Sequence, residues 1–525
     1  MNILAGNRWS SGFLDYCRSD SDYRIEVYAM KNLQKIEGMY FIRRNSIRMV
    51  FNYLFEVGLK HLIRKIRSRM GEKLRNEKYI SAGIGRILEA PSDGKLCKND
   101  IVFFLAPFHP ACSERIVLPE FLVQPWTNML PFNRKDSEIR YLKNASEPSS
   151  EYWNKLTGFS TFSGTLHPKE IIQKCMADAE SDILSTDWCK AEKFTSSNSE
   201  ISENTDIKAV SKDRPKGIVF GYGNYAKSFL IPNVSPFIDI KCIHEVDPTQ
   251  IPLNSEKSID WNTSPFPGPS EKADAFFIAS YHHTHIPIAL SALKQGAYSV
   301  IEKPIAVDEN QLKELLKQLK ISGPRLFSCF HKRYQHFNPM IAEDLSIGKG
   351  QPVSFHCIVY EVPLPELHWY WWPNSKSRIV SNGCHWIDYF LFWNNFSKPL
   401  WHDLSIGSDG TVNASAELEN GAFFSMLLTD RGSERIGLRD YIELRTNNKT
   451  AKIIDGGTYS SEDSGNLIRK ASVNKLSSYE NMYSTIAEKV SRGIDGDSIE
   501  SVETSAGLIL AFERTYQTKK RGVLQ

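Results

Sequence analysis

The stretch GIVFGYGNYAKSFLIP, from Gly217 to Pro232, leaves this chain few ways to fold. Its apolar start, Gly217–Phe220, suits a strand covered on both faces. Gly221 and Gly223 permit a tight turn, and Ala226 lets the following helix pack closely. Asn224 and Tyr225 fall where that helix begins, and its free N–H groups and dipole favour a pyrophosphate. A lone G-x-G-x-x-A is a weak signal. Its context strengthens it. IDIKCIHEVDP reads as a second strand that ends in Asp247, twenty-six residues after Gly221. An acidic side chain there can bind ribose hydroxyls, although a turn residue ahead of Pro248 is an equally simple reading. ADAFFIAS then reads as a buried strand, followed by a helix from Ile286 to Gln295 and the strand YSVIEK. Strands and helices alternating at this spacing build a doubly wound parallel sheet.

At 525 residues the chain needs two or three domains. The polar segment from Cys189 to Gly217 has almost no large apolar residues and cannot bury enough surface to order itself, so it reads as a linker. With 41% hydrophobic and 11% aromatic residues the remainder can supply real cores. A net charge of +3 shows no clustered basic face, so nucleic acid is not an expected partner. Nine cysteines without a C-x-x-C give neither a disulfide framework nor a zinc knuckle. No run of about eighteen apolar residues is present to span a bilayer, and MNILAGNRWSSG lacks the order of a secretion signal. A cytoplasmic protein with free thiols is expected.

RIVSNGCHWIDYFLFWNN, Arg378–Asn395, sets His385 and Asp388 among apolar and aromatic residues. Three apart on a helix, they share a face. A buried pair that only anchors the helix is one reading, and a histidine that moves a proton in a cleft is the other. The cluster HHTH, His282–His285, is not spaced to converge on a metal, and no cysteine or acid is near it in sequence. Thr284 or His285 is a candidate to cap the next helix or to contact a cofactor.

GYGNYAKSFLIP, IASYHHTHIPIALSALKQGAYSVIEKPIAVD and NGCHWID together resemble the Gfo/Idh/MocA oxidoreductases from about Gly217 to the C-terminus. The resemblance implies an α/β Rossmann domain over 216–335 and an α+β mixed-sheet domain over 336–525. It implies NAD, with NADP as the alternative, and hydride transfer at a secondary alcohol or carbonyl of a sugar or sugar-nucleotide. Its most specific piece is Glu302-Lys303-Pro304. There Lys303 would meet nicotinamide and substrate, with His385 beside it as proton donor or acceptor. The loop holding Ser280, His282 and His285 would line the dinucleotide's path. Lys332 and Arg333 would hold an anionic substrate group, with Arg378 and Asp388 also facing substrate; Asp388 could equally only anchor its helix. Assembly of like chains through the C-terminal sheet is a further implication. Many members carry an aspartate four residues before the histidine, and Ser381 stands there. That departure motivates a rival reading, a dinucleotide-binding scaffold or regulatory protein with little turnover.

The N-terminal part alternates short strands and turns, as in ISAGIGRILEA and NDIVFFLAPFHPACSERIVLPEFLV. Over 1–188 it resembles, more weakly, the small, mostly β GroES-like domain of zinc-dependent alcohol dehydrogenases, with 189–215 as the linker. No Gly-His-Glu zinc motif and no four-cysteine cluster accompany it, so no metal is expected. The basic helix Met49–Met70 carries Lys60, Arg64, Lys65, Arg67 and Arg69, yet its apolar set (Val50, Leu54, Leu59, Leu62, Ile63, Ile66, Met70) suits packing on its own domain.

Overall fold

The computed structural model describes residues 22–35, 59, 62–63, 79–90, 94–107, 115–119, 123–125, 140–141, 214–245, 259–262, 265–348, 350–363, 370, 375–432 and 439–523. These belong to two compact units, one drawn from 1–43, 72–213 and 246–250 and the other from 44–71, 214–245 and 251–525. The expected linker up to Asp213, most of the basic helix and Asp247 lie outside the described residues.

The first unit holds an antiparallel sheet. Strand β1 (Asp22–Lys35) lies between β2 (Tyr79–Glu89) and β4 (Arg115–Pro119), while β3 (Ile101–Pro107) joins β2 to β5 (Val123–Pro125). A short β6 (Arg140–Tyr141) runs parallel to β1. Alternate side chains Tyr23 and Ile25, and likewise Val102 and Phe104, are fully buried, the period-2 signature of a strand with one covered face. Glu26 and Arg86 sit opposite each other, 2.7 Å apart. A partly exposed cross-strand pair of this kind contributes roughly 0.2–1 kcal/mol.

The second unit opens with six parallel strands: β7 (Lys216–Phe220), β8 (Asp239–His244), β9 (Asp260–Asn262), β10 (Ala275–Ile278), β11 (Tyr298–Glu302) and β12 (Leu326–Cys329). Their order is β12-β11-β10-β7-β8-β9, that of a Rossmann-type sheet. All residues of β10 and β11 are buried, which is why these segments read as unbroken apolar runs rather than alternating ones. The chain reverses its winding between β7 and β10, so a crevice forms beyond their C-terminal ends.

One face of this sheet is covered by helices His285–Lys294 and Glu309–Ser322. The second begins where Asp308 accepts a hydrogen bond from the Gln311 N–H at 2.9 Å, and it buries Leu312, Leu315 and Leu319 on one stripe. The other face is covered by residues from far along the chain. Met482, Tyr483, Ile486, Ala487 and Val490, from helix Ser477–Ser491, pack with Leu230 and Val234 against Val219, Phe277 and Val300. The Rossmann-type core is thus completed by residues far beyond 335. A parallel sheet must cover both faces, and the one short helix after β7 cannot do so alone.

The C-terminal strands form a mixed sheet from β13 (Ser354–Tyr360), β14 (Pro399–Ile406), β15 (Val412–Leu418), β16 (Phe423–Thr429), β17 (Arg439–Arg445), β18 (Lys449–Ile454), β19 (Thr458–Asp463) and β20 (Asn466–Ser472). The order is β14-β15-β16-β13-β17-β18-β19-β20, with β13 and β16 parallel and the other pairs antiparallel. Helix Cys384–Trp393 lies on its covered face, with Trp386, Phe390, Phe424 and Met426 fully buried together. The last helix, Ile499–Val523, contributes Val502, Leu510 and Phe512 to the same core. It is preceded by an edge attachment to the parallel sheet: the N–H groups of Gly496 and Asp497 donate to the carbonyls of Pro324 and Leu326 at 2.6 and 2.7 Å. A Cβ on Gly496 would lie 2.0 Å from the Leu326 oxygen, so only glycine fits.

Candidate active site

The loops after β11 and β12 meet the turn and helix that carry His385, and the loops after β7 and β10 in turn contact the end of β11 and the Lys303–Pro304 turn. In the loop after β7, Gly221 has φ +94°, and a Cβ there would lie 2.4 Å from the carbonyl oxygen of Ala279, which directly follows β10. Gly221 therefore allows β7 and β10 to stay adjacent as the chain turns. Gly223 faces open space instead, which leaves its backbone accessible to a ligand. Asn224 is exposed, Tyr225 is half-buried, and Ala226 is packed in the core. These residues fit a dinucleotide's pyrophosphate at a helix start.

Beside this loop the buried carboxylate of Glu245 accepts the Tyr222 N–H at 2.6 Å. Glu245 directly follows β8, the position where an acid can reach ribose hydroxyls. Sequence reasoning passed over it for Asp247, two residues further on; the strand's true end would have pointed to it. Tyr222 also packs edge-on against Trp261 at 4.9 Å and beneath Lys227 at 4.6 Å. Below the loop Cys242, His244 and Glu271 bring possible metal-ligand atoms within 4.8 Å of one another. The Glu271 carboxylate is already engaged there by Gly268, Asn262 and His244 at 2.7, 2.9 and 3.1 Å. Burial, with Glu271 and Asp260 nearby, pushes the Cys242 thiol up to about 12.

The loop after β10 is built inward. The Ser280 and Thr284 hydroxyls meet at 2.7 Å, and Thr284 donates to the Tyr281 carbonyl. Thr284 precedes the helix but makes no side-chain cap, a correction to the expected cap. His285 Nδ1 and Nε2 lie 2.8 and 3.1 Å from the carbonyls of Pro304 and Ser280, tying this loop to the Lys303–Pro304 turn, whose peptide is cis. Burial brings His285 down to about 4 and His283 to about 3. His282 is buried beside Tyr370, with ring centroids 5.1 Å apart.

At the end of β11, Glu302 accepts hydrogen bonds from the Tyr225 hydroxyl at 2.9 Å and from Tyr483. Burial raises its carboxyl above the usual range, against those bonds and the charge of Lys303. The Lys303 ammonium donates to the Ser381 carbonyl at 2.6 Å, and to Asn382 Oδ1 and the Tyr370 hydroxyl at 3.3 Å each. Burial opposes its charge, but Tyr370, Cys384 and Glu302 outweigh burial and hold its pKa above the ordinary value.

His385 is buried one turn beyond Ser381, its ring 4.8 Å from that of His331. Its Nδ1 has no hydrogen-bond partner among the described residues. Burial, His331, Lys303 and Lys332 push it well below the ordinary 6.5. The histidine is therefore held neutral. His331 meets the Ser478 hydroxyl at 3.0 Å and stacks on Tyr479 at 4.0 Å.

The expected substrate-binding charges are already paired. Lys332 lies 2.5 Å from Asp440, which also accepts from the Trp386 indole at 3.0 Å. Arg333 grips Asp388 with both arms, at 2.9 and 2.6 Å, and reaches Asp497 at 3.2 Å. Asp388 is 0% exposed and accepts a further bond from Ser505. Arg378 lies 2.8 Å from Glu361 and 3.3 Å from Asp430. Each of the four residues expected to face substrate, Lys332, Arg333, Arg378 and Asp388, thus has a charged partner within the protein, which is how buried charge is retained. Asn382, Glu361 and Tyr370 join the site unforeseen. Asn382 sits inside the quoted NGCHWID motif, but nothing in the sequence links Glu361 to it.

No family model matches the chain. An uncharacterized oxidoreductase, YdgJ of Escherichia coli strain K12, is 30% identical over 125 residues, 22% of this chain and 34% of that protein. A Gfo/Idh/MocA family oxidoreductase from Vibrio cholerae is 12% identical with a TM-score of 0.46, covering 59% of this chain and 100% of that one. The WlbA dehydrogenase from Bordetella pertussis, solved with NADH and UDP-GlcNAcA, is 14% identical with a TM-score of 0.45, covering 58% of this chain and 97% of that one. The chain spans about a third of the length of the curated relative it matches.

Proposed function

We propose that the second unit binds a nicotinamide dinucleotide, preferring NAD(H), and transfers hydride at a secondary alcohol or carbonyl of a sugar or sugar-nucleotide. The observation that carries this reading is the convergence of an engaged lysine, Lys303, and a buried histidine, His385, whose Nδ1 has no partner among the described residues, beside an exposed glycine turn. Gly221, Gly223 and the helix start at Asn224 hold the pyrophosphate, and Glu245 takes the ribose hydroxyls. The nicotinamide supplies the hydride acceptor or donor. Lys303 Nζ orients the substrate oxygen and stabilises negative charge on it, displacing its long contact to Tyr370. His385, held neutral, takes the alcohol proton at Nδ1 in the oxidising direction and returns it in the reducing one.

The similarity to an oxidoreductase over part of the chain accords with this reading. The antiparallel sheet of the first unit supports a GroES-like N-terminal domain. Ile358, Trp401 and Leu427 are 53%, 40% and 37% exposed on the open side of the mixed sheet, which supports pairing of like chains there.

A second reading also has an observation behind it. All three Lys303 donors are engaged, which suits a dinucleotide-binding protein that turns over little. Incubating the purified protein with NAD(H) and a panel of UDP-linked sugars separates the two. NADH production or consumption with at least one sugar supports the enzyme. Binding without turnover selects the second reading, and absence of NADH binding refutes both.

A further inference from the structure

Lys303 does not hold its oxygen partners unaided. Asn382, one of the three, has a side chain that can turn either way: its amide offers an oxygen on one side and an NH2 on the other, nearly identical in shape. The direction it faces decides whether the ammonium meets an acceptor or a competing donor. Asn382 Nδ2 donates to Glu361 Oε1 at 2.5 Å, while its Oδ1 accepts from Lys303 at 3.3 Å. Glu361 is 4% exposed, follows β13, and has its other oxygen 2.8 Å from the Arg378 guanidinium.

We infer that Glu361 is a positioning residue for Lys303, fixing through the Asn382 amide the oxygen face that Lys303 meets. This deepens the reading of Lys303 as the group that orients substrate. An ionised carboxylate can only accept, so it captures the NH2 and turns the oxygen toward the lysine. In the flipped amide, NH2 would oppose ammonium and carbonyl would oppose carboxylate, so the flip is doubly unfavourable. The Arg378 guanidinium, 2.8 Å from Glu361 and 3.3 Å from Asp430, favours the ionised carboxylate. The relay also gives acid a way in. Burial raises the Glu361 carboxyl, opposed by Arg378, Asn382 and Lys303 and assisted by Asp430. Once protonated, Glu361 can donate to the amide oxygen and release its hold on the orientation.

The test is read on Asn382 itself, in protein labelled with 15N-asparagine, the side-chain resonances being identified by their loss in Asn382→Asp. In the wild type one amide proton should be shifted downfield and slow to exchange, and it should lose both properties as acid protonates Glu361. Glu361→Gln should abolish the shift and the acid response. Where turnover is measurable, Glu361→Gln should lower kcat about tenfold, the scale of one charge-assisted hydrogen bond, with NADH affinity unchanged. An Asn382 amide that exchanges fast and ignores pH in the wild type overturns the relay whether or not the variant folds. So does a Glu361→Gln protein with an unaltered amide or unaltered kcat. An oriented, acid-sensitive amide in a protein without turnover upholds the relay and removes the enzymatic reading instead.

Discussion

Replacing Asp388 by alanine separates an anchoring role from a substrate-binding one. Asp388 is 0% exposed and receives both arms of Arg333 and the Ser505 hydroxyl, the last at 2.7 Å. Removing one partner of a buried pair leaves an uncompensated charge and costs about 3–5 kcal/mol. Arg333 keeps Asp497 at 3.2 Å and the faces of Phe330 and Phe396 at 5.3 and 4.9 Å. The loss should therefore fall at the lower end, about 3 kcal/mol. For a unit of about 335 residues roughly 1.4 °C accompanies each kcal/mol, so Tm should drop by about 4 °C. Ser505→Ala, which removes one neutral donor to the same carboxylate, should cost about 1 kcal/mol. Thermal melts and urea titrations of the three proteins give the comparison. An Asp388→Ala protein within about 0.5 kcal/mol of wild type, but with a raised KM for a sugar-nucleotide, would refute the anchoring role.

Three further outcomes follow from other parts of the structure. Gly496→Ala should destabilise the second unit by at least about 2 kcal/mol, because its Cβ would collide with the Leu326 carbonyl at 2.0 Å; an unchanged urea midpoint would contradict the edge attachment. His283 and His285 have folded pKa values depressed to about 3 and 4 from an ordinary 6.5. The unfolded chain thus binds more protons, so their contribution is present above pH 6.5 and falls away toward pH 4; Tm flat over that window would be contrary evidence. NAD(H) should bind more tightly than NADP(H), because Glu245 would repel a 2′-phosphate. Glu245→Ala should weaken NADH and narrow that preference, and equal titrations with both dinucleotides before mutation would sink it.

The parallel sheet was legible because β7, β10 and β11 are apolar on both faces and separated by glycine turns. Lys303 and His385 were reached through short motifs. What escaped the sequence was pairing over distance. Lys332 and Asp440 are 108 residues apart, and Arg333 and Asp388 are 55 apart; a string of residues gives no sign that these charges neutralise one another. Helix Ser477–Ser491 escaped for the same reason, since its apolar stripe does not say which sheet it covers. The lowered pKa of His385 escaped too, because the burial that causes it is unseen in sequence.

The most direct test of the account is kcat for sugar-nucleotide turnover, measured beside the NADH Kd, in Lys303→Ala and His385→Ala. The account predicts that each variant loses about a hundredfold or more in kcat, the scale of a lost acid–base group, while NADH Kd stays near that of the wild type. A His385→Ala protein that melts at lower temperature, yet whose folded fraction turns over like the wild type, would show His385 to be a structural histidine and contradict the account.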